Sequence, residues 1–113
     1  MKYLIYMRRS ISSISLTDRE NNSITNFMIP SSASFKRAAD QDAAGSFEKI
    51  EVTGRAKVDQ RDILRNCRYC NRVVVIFDQS ETFSFGSADY PATLILEETE
   101  GRTSFKITYE RPL

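Results

Sequence analysis

The chain has 113 residues, of which 41% are hydrophobic and 27% charged, and its formal net charge is +1. This composition is typical of one globular domain with its own core, and not of a disordered, collagenous or membrane chain. Without histidine and with only two cysteines, the chain cannot by itself form a Ser-His-Asp triad, a Cys-His dyad or a complete four-ligand zinc site, and we expect no cofactor.

Strand-like segments dominate the N-terminal part of the chain. Residues 2–7 are rich in Tyr, Leu and Ile, and Ile14 and Leu16 alternate with serines as in a half-buried strand. The polar residues 18–23 are typical of a turn, and residues 24–29 after them are again strand-like. We therefore predict a hairpin or meander here.

The N-terminal apolar segment also bears on localisation. Arg8 and Arg9 follow it directly, so it is too short for a signal-peptide core or a membrane span. We expect a cytoplasmic or virion-associated protein with no membrane segment.

Residues 31–46 are rich in Ser and Ala, and Phe35 is their only large apolar side chain. The composition predicts a long loop inside the domain, with a short helix over residues 36–44 as the alternative. Because the segment has little apolar surface to offset its ordering entropy, we expect it to be mobile in the isolated chain and to become ordered on a partner.

A long amphipathic strand is predicted after this segment. Ile50, Val52 and Ala56 fall on one face, and the charged residue Glu48 lies in the same phase as these apolar residues. Asp59 then has the character of an N-cap, which predicts a helix over residues 59–70.

The remaining residues predict further strands. Residues 73–77 are continuously apolar, as in a strand buried on both faces, and two hairpins follow them. The predicted fold class is mainly β (α+β), an antiparallel β-sandwich or barrel of about seven or eight strands with one helix near residues 59–70. Residues 1–113 form a single domain in this prediction.

Cys67 and Cys70 form a CxxC pair near the end of the predicted helix. On that helix both thiols fall on the apolar face with Ile63 and Leu64, which favours two small buried side chains. A redox pair and a zinc site shared between two subunits are the alternatives. A redox-active CxxC normally lies at the start of a helix, where the helix dipole lowers the thiol pKa.

Charge is distributed unevenly along the chain. Four arginines at helical spacing form a basic stripe on the opposite face of the predicted helix: Arg61, Arg65, Arg68 and Arg72. The stripe is consistent with a solvated face, an acidic protein partner or nucleic-acid phosphates. The near-neutral total charge and the absence of a nucleic-acid motif disfavour the last of these.

A cluster of carboxylates lies at the predicted tip of the last hairpin: Glu97, Glu98 and Glu100. Such tips normally collect solvated charges, so we expect no catalysis there. The basic stripe of one copy and the acidic hairpins between Asp78 and Glu100 of another are unlike patches, and a contact between them would be head-to-tail and would build a ring if it closed.

Several short segments resemble one family of proteins. Residues 73–78, Phe85-Gly86-Ser87 and Tyr90-Pro91, with a final strand pair that ends at Pro112, resemble small all-β proteins encoded in tail and baseplate gene clusters of bacterial prophages. The resemblance covers residues 47–112. It implies a virion structural role without catalytic residues.

These observations predict a non-enzymatic structural or assembly protein, of phage-tail type, that binds protein partners and forms a homo-oligomeric ring. The alternative is a ligand-binding or nucleic-acid-binding module that uses the arginine stripe. An enzyme that relies on the two cysteines is the remaining hypothesis.

Overall fold

The computed structural model describes residues 3–9, 11–20, 22–28, 33–42, 45–56, 68–77, 81–99 and 101–112. These residues form nine strands: β1 (Tyr3–Arg9), β2 (Ile11–Asp18), β3 (Ile24–Met28), β4 (Ala33–Asp42), β5 (Gly45–Ala56), β6 (Tyr69–Phe77), β7 (Thr82–Phe85), β8 (Ala92–Thr99) and β9 (Arg102–Pro112). All nine belong to one sheet with antiparallel pairings. The prediction of a mainly β, antiparallel fold is confirmed.

The strand order divides the sheet into two halves. The path runs β1-β4-β5-β9-β8-β6-β2-β3, and β7 pairs with β6 outside this path. We call β1, β4, β5, β9 and β8 the first half, and β6, β7, β2 and β3 the second half. Only two residues of β6, Tyr69 and Cys70, pair with β8, whereas Val73–Ile76 further along β6 pair with β7. The joint between the halves is therefore narrow.

The core is built by alternation along the central strands. In β9, Phe105, Ile107 and Tyr109 are buried and alternate with half-exposed neighbours, and Val73 and Val75 do the same in β6. Burying an aliphatic or aromatic side chain of this size contributes about 1.5–3 kcal/mol. The predicted apolar face of β5 is confirmed, and residues 73–77 form a strand inside the sheet. The predicted burial of this strand on both faces is wrong, because Val74 and Ile76 are half-exposed.

Aromatic contacts link the two halves face to face. The ring of Phe35 in β4 lies 6.2 Å from that of Phe77 in β6 and 5.4 Å from that of Phe83 in β7, both edge-to-face. Phe85 of β7 lies 5.4 Å from Tyr109 of β9. Because β4 and β6 are separated by three strands in the sheet order, these contacts require the sheet to fold back on itself around the core.

The predicted long loop at residues 31–46 is wrong for the residues described. Ala33–Asp42 form β4, which pairs with β1 on one side and with β5 on the other, and β5 begins at Gly45. Ala33 and Phe35 are buried on the core side. A strand with two neighbours is held by its ladder hydrogen bonds and by a few buried side chains, so it needs no continuous apolar pattern.

The predicted helix over residues 59–70 is also wrong where it can be compared with the structure. Residues 57–67 lie outside the described part, Arg68 lies in a bend, and Tyr69 and Cys70 begin β6. Tyr69 pairs with Thr93 and Cys70 with Ala92. Pairing with a neighbouring strand outweighs helix propensity, which is a weak preference at each residue.

The predicted turn at residues 18–23 closes the β2–β3 hairpin. The Asp18 backbone N–H donates to the Ser23 carbonyl at 2.9 Å, and the Asp18 carboxylate accepts from the Glu20 N–H at 2.8 Å. Asn22 has φ of 56°, a left-handed conformation that asparagine tolerates better than most residues. The turn that the polar residues predict is therefore confirmed, and Asp18 and Asn22 are the residues that stabilise it.

A β-bulge marks the point where β6 changes partners. Thr17 of β2 pairs with Arg72 and Asp18 pairs with Cys70, so Asn71 is the extra residue on β6. Its Oδ1 is buried and has no hydrogen-bond partner among the described residues. Gly86, with φ of 100°, lies against this bulge, and a Cβ at position 86 would be 3.0 Å from the Asn71 carbonyl oxygen.

We expect Gly86→Ala to lower the free energy of unfolding by about 2–4 kcal/mol, because backbone strain at positive φ adds to the clash with the Asn71 backbone. Gly101→Ala is the matched control: its φ is 79°, but no atom lies within 4 Å of the added Cβ. That control should cost about 1 kcal/mol, from backbone strain alone. Urea denaturation of both variants measures the difference, and equal losses would contradict the close contact at Gly86.

Candidate functional site

The predicted arginine stripe is not reproduced by its two described members. Arg68 and Arg72 are exposed, but Arg68 lies in a bend and Arg72 lies in β6, where the backbone is extended. The Arg68 guanidinium lies 5.5 Å from the centroid of the Tyr69 ring, as in a cation–π contact. Arg61 and Arg65 lie outside the described residues. Arg68 and Arg72 therefore do not share a helix face, and the stripe of four arginines stays a prediction.

The predicted acidic cluster lies near the end of β8. Glu97 and Glu98 are exposed, and Glu100 lies outside the described residues. Two exposed arginines are close by. Arg102 begins β9 after the turn, and Arg55 of β5 pairs with the same β9 residue, Ser104, that pairs with Glu97 on the other side. These arginines partly balance the acidic charge, so this end of the sheet is mixed in charge.

The cysteines can be compared with the structure at one position only. Cys70 is buried, with 1% of its surface exposed. Cys67 lies outside the described residues, so the CxxC pair and the shared zinc site stay untested predictions. Within the described ranges, no group of three or more His, Cys, Asp or Glu side chains could hold a metal ion.

A cleft of about 420 Å³ lies between the two halves of the sheet. Arg37 of β4, Glu48 of β5 and Arg111 of β9 form the wall on the first half, together with Ile50, Tyr109 and Pro112. The opposite wall comes from β7 and the connection to β8: Phe83, Ser84, Phe85, Gly86, Ser87 and Tyr90. In the antiparallel pairing, Glu48 lies directly opposite Arg111 of β9. Arg37 of β4 lies opposite Ile50 and is therefore a diagonal neighbour of Glu48.

Glu48 is the centre of the charged wall. Its side chain is only 5% exposed, and its two carboxylate oxygens accept from different arginines. Arg37 Nε donates to Oε1 at 2.7 Å, Arg111 Nε donates to Oε2 at 3.0 Å, and Arg111 Nη2 lies 3.0 Å from the same oxygen as an ion pair. The arginine side chains are themselves 43% and 46% exposed. A buried carboxylate thus holds two guanidinium groups at the mouth of the cleft.

Aromatic side chains form the rest of the wall. The Arg37 guanidinium carbon lies 5.3 Å from the centroid of the Phe83 ring, a cation–π distance. Burial raises the pKa of the Tyr109 phenol above its usual value near 10, while neighbouring Arg111 and a hydrogen bond with the Gly86 backbone oppose the rise. The phenol is therefore neutral at physiological pH, and it links β9 to the β7–β8 connection.

The β7–β8 connection is fixed by its own turn. The Ser87 N–H donates to the Tyr90 carbonyl at 3.0 Å, and the Tyr90 N–H donates to the Ser87 hydroxyl at 3.1 Å. Tyr90 is 44% exposed. A short reciprocal turn of this kind holds an aromatic side chain at the rim of the cleft without burying it.

Sequence reasoning missed this cleft, although one signal for it was present. Glu48 falls in phase with the apolar residues Ile50 and Val52, and a charged residue on a buried face normally requires a partner. The partners are 11 and 63 residues away in sequence, and Arg37 lies in the segment predicted to be a loop. Strand register, which brings the three residues together, could not be derived from the sequence.

Comparison of the chain with protein-family models, with curated proteins and with solved structures finds no match in any of the three. The resemblance of residues 47–112 to prophage tail proteins stays a prediction. In the described part of the chain, no helix has the length and apolar character needed to cross a membrane.

Proposed function

We propose that the protein is a non-enzymatic assembly protein that binds an anionic segment of a protein partner in the cleft between Arg37, Glu48 and Arg111. The observation that carries the proposal is the pair of arginines fixed by one buried carboxylate beside an aromatic wall. Clustered guanidinium groups and aromatic side chains are enriched where proteins bind other proteins. A structural role is also what the resemblance to prophage tail proteins implies.

The chemistry of the cleft supports binding in preference to catalysis. Glu48 is engaged by both arginines through short hydrogen bonds, which makes it a poor general base. The chain contains no histidine that could activate Ser84 or Ser87. The phenol of Tyr109 has a raised pKa, so it is a weaker acid than usual. These groups can therefore orient and bind a ligand, but none of them is suited to transfer a proton to or from it.

The partner is proposed to be a separate protein, with a second copy of the chain as the weaker candidate. Glu97 and Glu98 are exposed at the far end of the β8–β9 hairpin from Arg111, so their contact with the cleft of another copy would be head-to-tail. Arg55 and Arg102 beside these glutamates reduce the charge complementarity of that contact. An acidic segment of a separate protein that has no arginines beside its carboxylates would complement the charge of the cleft better.

We expect a short dansyl-labelled peptide that contains glutamates and phenylalanine to bind the protein, and its counterpart with glutamines to bind much more weakly. Arg111→Gln should weaken binding by about tenfold or more, because a hydrogen bond to a charged group contributes about 1.5–3 kcal/mol. Fluorescence anisotropy at low salt measures both affinities.

Arg102→Gln is the matched control, since Arg102 is an exposed arginine on the same strand but at the opposite end. It should leave the affinity for the glutamate peptide unchanged. If the two variants bind the peptide equally well, or if the glutamine peptide binds as tightly as the glutamate peptide, the proposed function is wrong.

A further inference from the structure

We infer that the cleft selects a single carboxylate joined to an apolar or aromatic group, in preference to a phosphate or a cluster of acidic groups. This inference rests on the proposed function, because it specifies the chemistry of the anion that the cleft receives. It follows from the charge balance, the remaining hydrogen-bond donors and the shape of the cleft.

The charge balance favours a monoanion. Arg37, Arg111 and Glu48 together carry a net charge of +1, so one carboxylate makes the cleft neutral. A phosphate monoester carries about −1.5 to −2 charges at pH 7 and would leave excess negative charge beside a glutamate that is only 5% exposed.

The hydrogen-bond donors also fit one carboxylate. Arginine has five N–H donors in a planar fork, and Glu48 accepts a hydrogen bond from Nε of each arginine, with Nη2 of Arg111 also 3.0 Å from it. Within the described ranges, Arg37 donates a side-chain hydrogen bond through Nε alone, and this side chain lines the cleft, so its terminal N–H groups can serve a ligand. A planar carboxylate accepts two parallel N–H bonds from such a fork.

The aromatic wall supplies the second part of the selection. Phe83 lies under the Arg37 guanidinium, and Tyr90 stands at the rim with 44% of its surface exposed. An apolar group attached to a carboxylate bound at Arg37 therefore lies next to aromatic surface and leaves water. The volume of about 420 Å³ falls within the range of sites that take small ligands or one or two side chains.

The test is an NMR titration of the ¹⁵N-labelled full chain with three small probes: 3-phenylpropionate, phenyl phosphate and the neutral 3-phenylpropanamide. We expect 3-phenylpropionate to shift the amide signals of Gly86 and Ser87, and the other two probes to bind at least tenfold more weakly. Three peptides then distinguish the source of the carboxylate: one with a free C-terminal phenylalanine, the same peptide amidated, and one with an internal glutamate beside phenylalanine.

Three variants locate the binding, and the NMR spectrum itself shows whether each is folded. Arg37→Gln should weaken 3-phenylpropionate at least tenfold, because it removes the N–H fork that receives the carboxylate. Arg111→Gln should also weaken it, because it removes the neighbouring positive charge, and Arg102→Gln should not change its affinity. If phenyl phosphate binds as tightly as 3-phenylpropionate with the same dependence on Arg111, the inferred ligand class is overturned and the proposed function stands. If the small probes and the glutamate peptide all bind independently of Arg111, the proposed function fails as well.

Discussion

The double variant Arg37→Gln, Arg111→Gln is expected to lose about 3–5 kcal/mol of unfolding free energy, because it leaves the carboxylate of Glu48 buried without a counter-charge. In the wild type, both carboxylate oxygens accept short hydrogen bonds from guanidinium groups. Glutamine carries no charge, so it cannot replace the ion pair even where its amide reaches the carboxylate.

The matched test is to remove the buried charge as well. Adding Glu48→Leu to the double variant should recover most of the loss, because replacing a whole buried ionic cluster by an apolar side chain is often neutral or better. Chemical denaturation of the wild type, the double variant and the triple variant measures this coupling. A triple variant that is less stable than the double variant would contradict the assignment of the cost to the buried charge.

A surface ion pair between the same two strands, β5 and β9, provides the control. Glu51 lies on the opposite face of β5, 25% exposed, and its Oε1 is 3.6 Å from Lys106 Nζ. Lys106→Gln should change the stability by only about 0.2–1 kcal/mol, since exposed pairs are screened by water. Losses of equal size at the two pairs would show that burial of Glu48 has no energetic consequence.

Phe105→Ala is expected to lower the free energy of unfolding by about 3–5 kcal/mol, because the substitution leaves a cavity at the centre of the first half of the sheet. Phe105 is 2% exposed, and its ring covers Gly54, the residue opposite it in β5. A Cβ at position 54 would be 3.0 Å from two ring atoms and 3.2 Å from Cβ of Ala33.

Gly54 gives a second measurement of the same contact. Gly54→Ala should destabilise the wild type by about 1–3 kcal/mol, because the buried ring of Phe105 must shift within the core to make room for the added methyl. Combined with Phe105→Ala, it should cost less than it does alone, since the added methyl then occupies vacated space. Ile95→Ala, at a side chain that is 45% exposed on β8, should cost less than 1 kcal/mol. Additive effects at positions 54 and 105 would contradict the packing of this pair.

The fold class could be predicted because the sequences of the central strands show a clear strand pattern. β5, β6 and β9 alternate between buried and exposed positions, and their side chains show this period directly. β4 has the opposite character: Ala38, Ala39 and Gln41 give it little apolar periodicity, and its place between β1 and β5 comes from backbone pairing. A strand held mainly by its neighbours cannot be identified from its own sequence.

The candidate site could be predicted only in part for the same reason. Glu48 carries a local signal, a charge on an apolar face, but Arg37 and Arg111 become its partners only through the register of β4 with β5 and of β5 with β9. A shift of one residue in either pairing would turn an arginine to the other face of the sheet. The basic stripe was a stronger pattern in sequence, yet it depended on a helix that Tyr69 and Cys70 do not form.

The narrow joint between β6 and β8 has a mechanical consequence. Two residue pairs hold the halves together along this seam, and the bulge at Asn71 ends the pairing there with a buried oxygen that has no partner among the described residues. Such a seam should resist bending less than a full ladder does, so we expect relative motion of the halves to concentrate at it. The cleft has one wall on each half. A ligand bound at the proposed site would therefore contact both halves and brace them, and we expect the sheet to stiffen when the cleft is occupied.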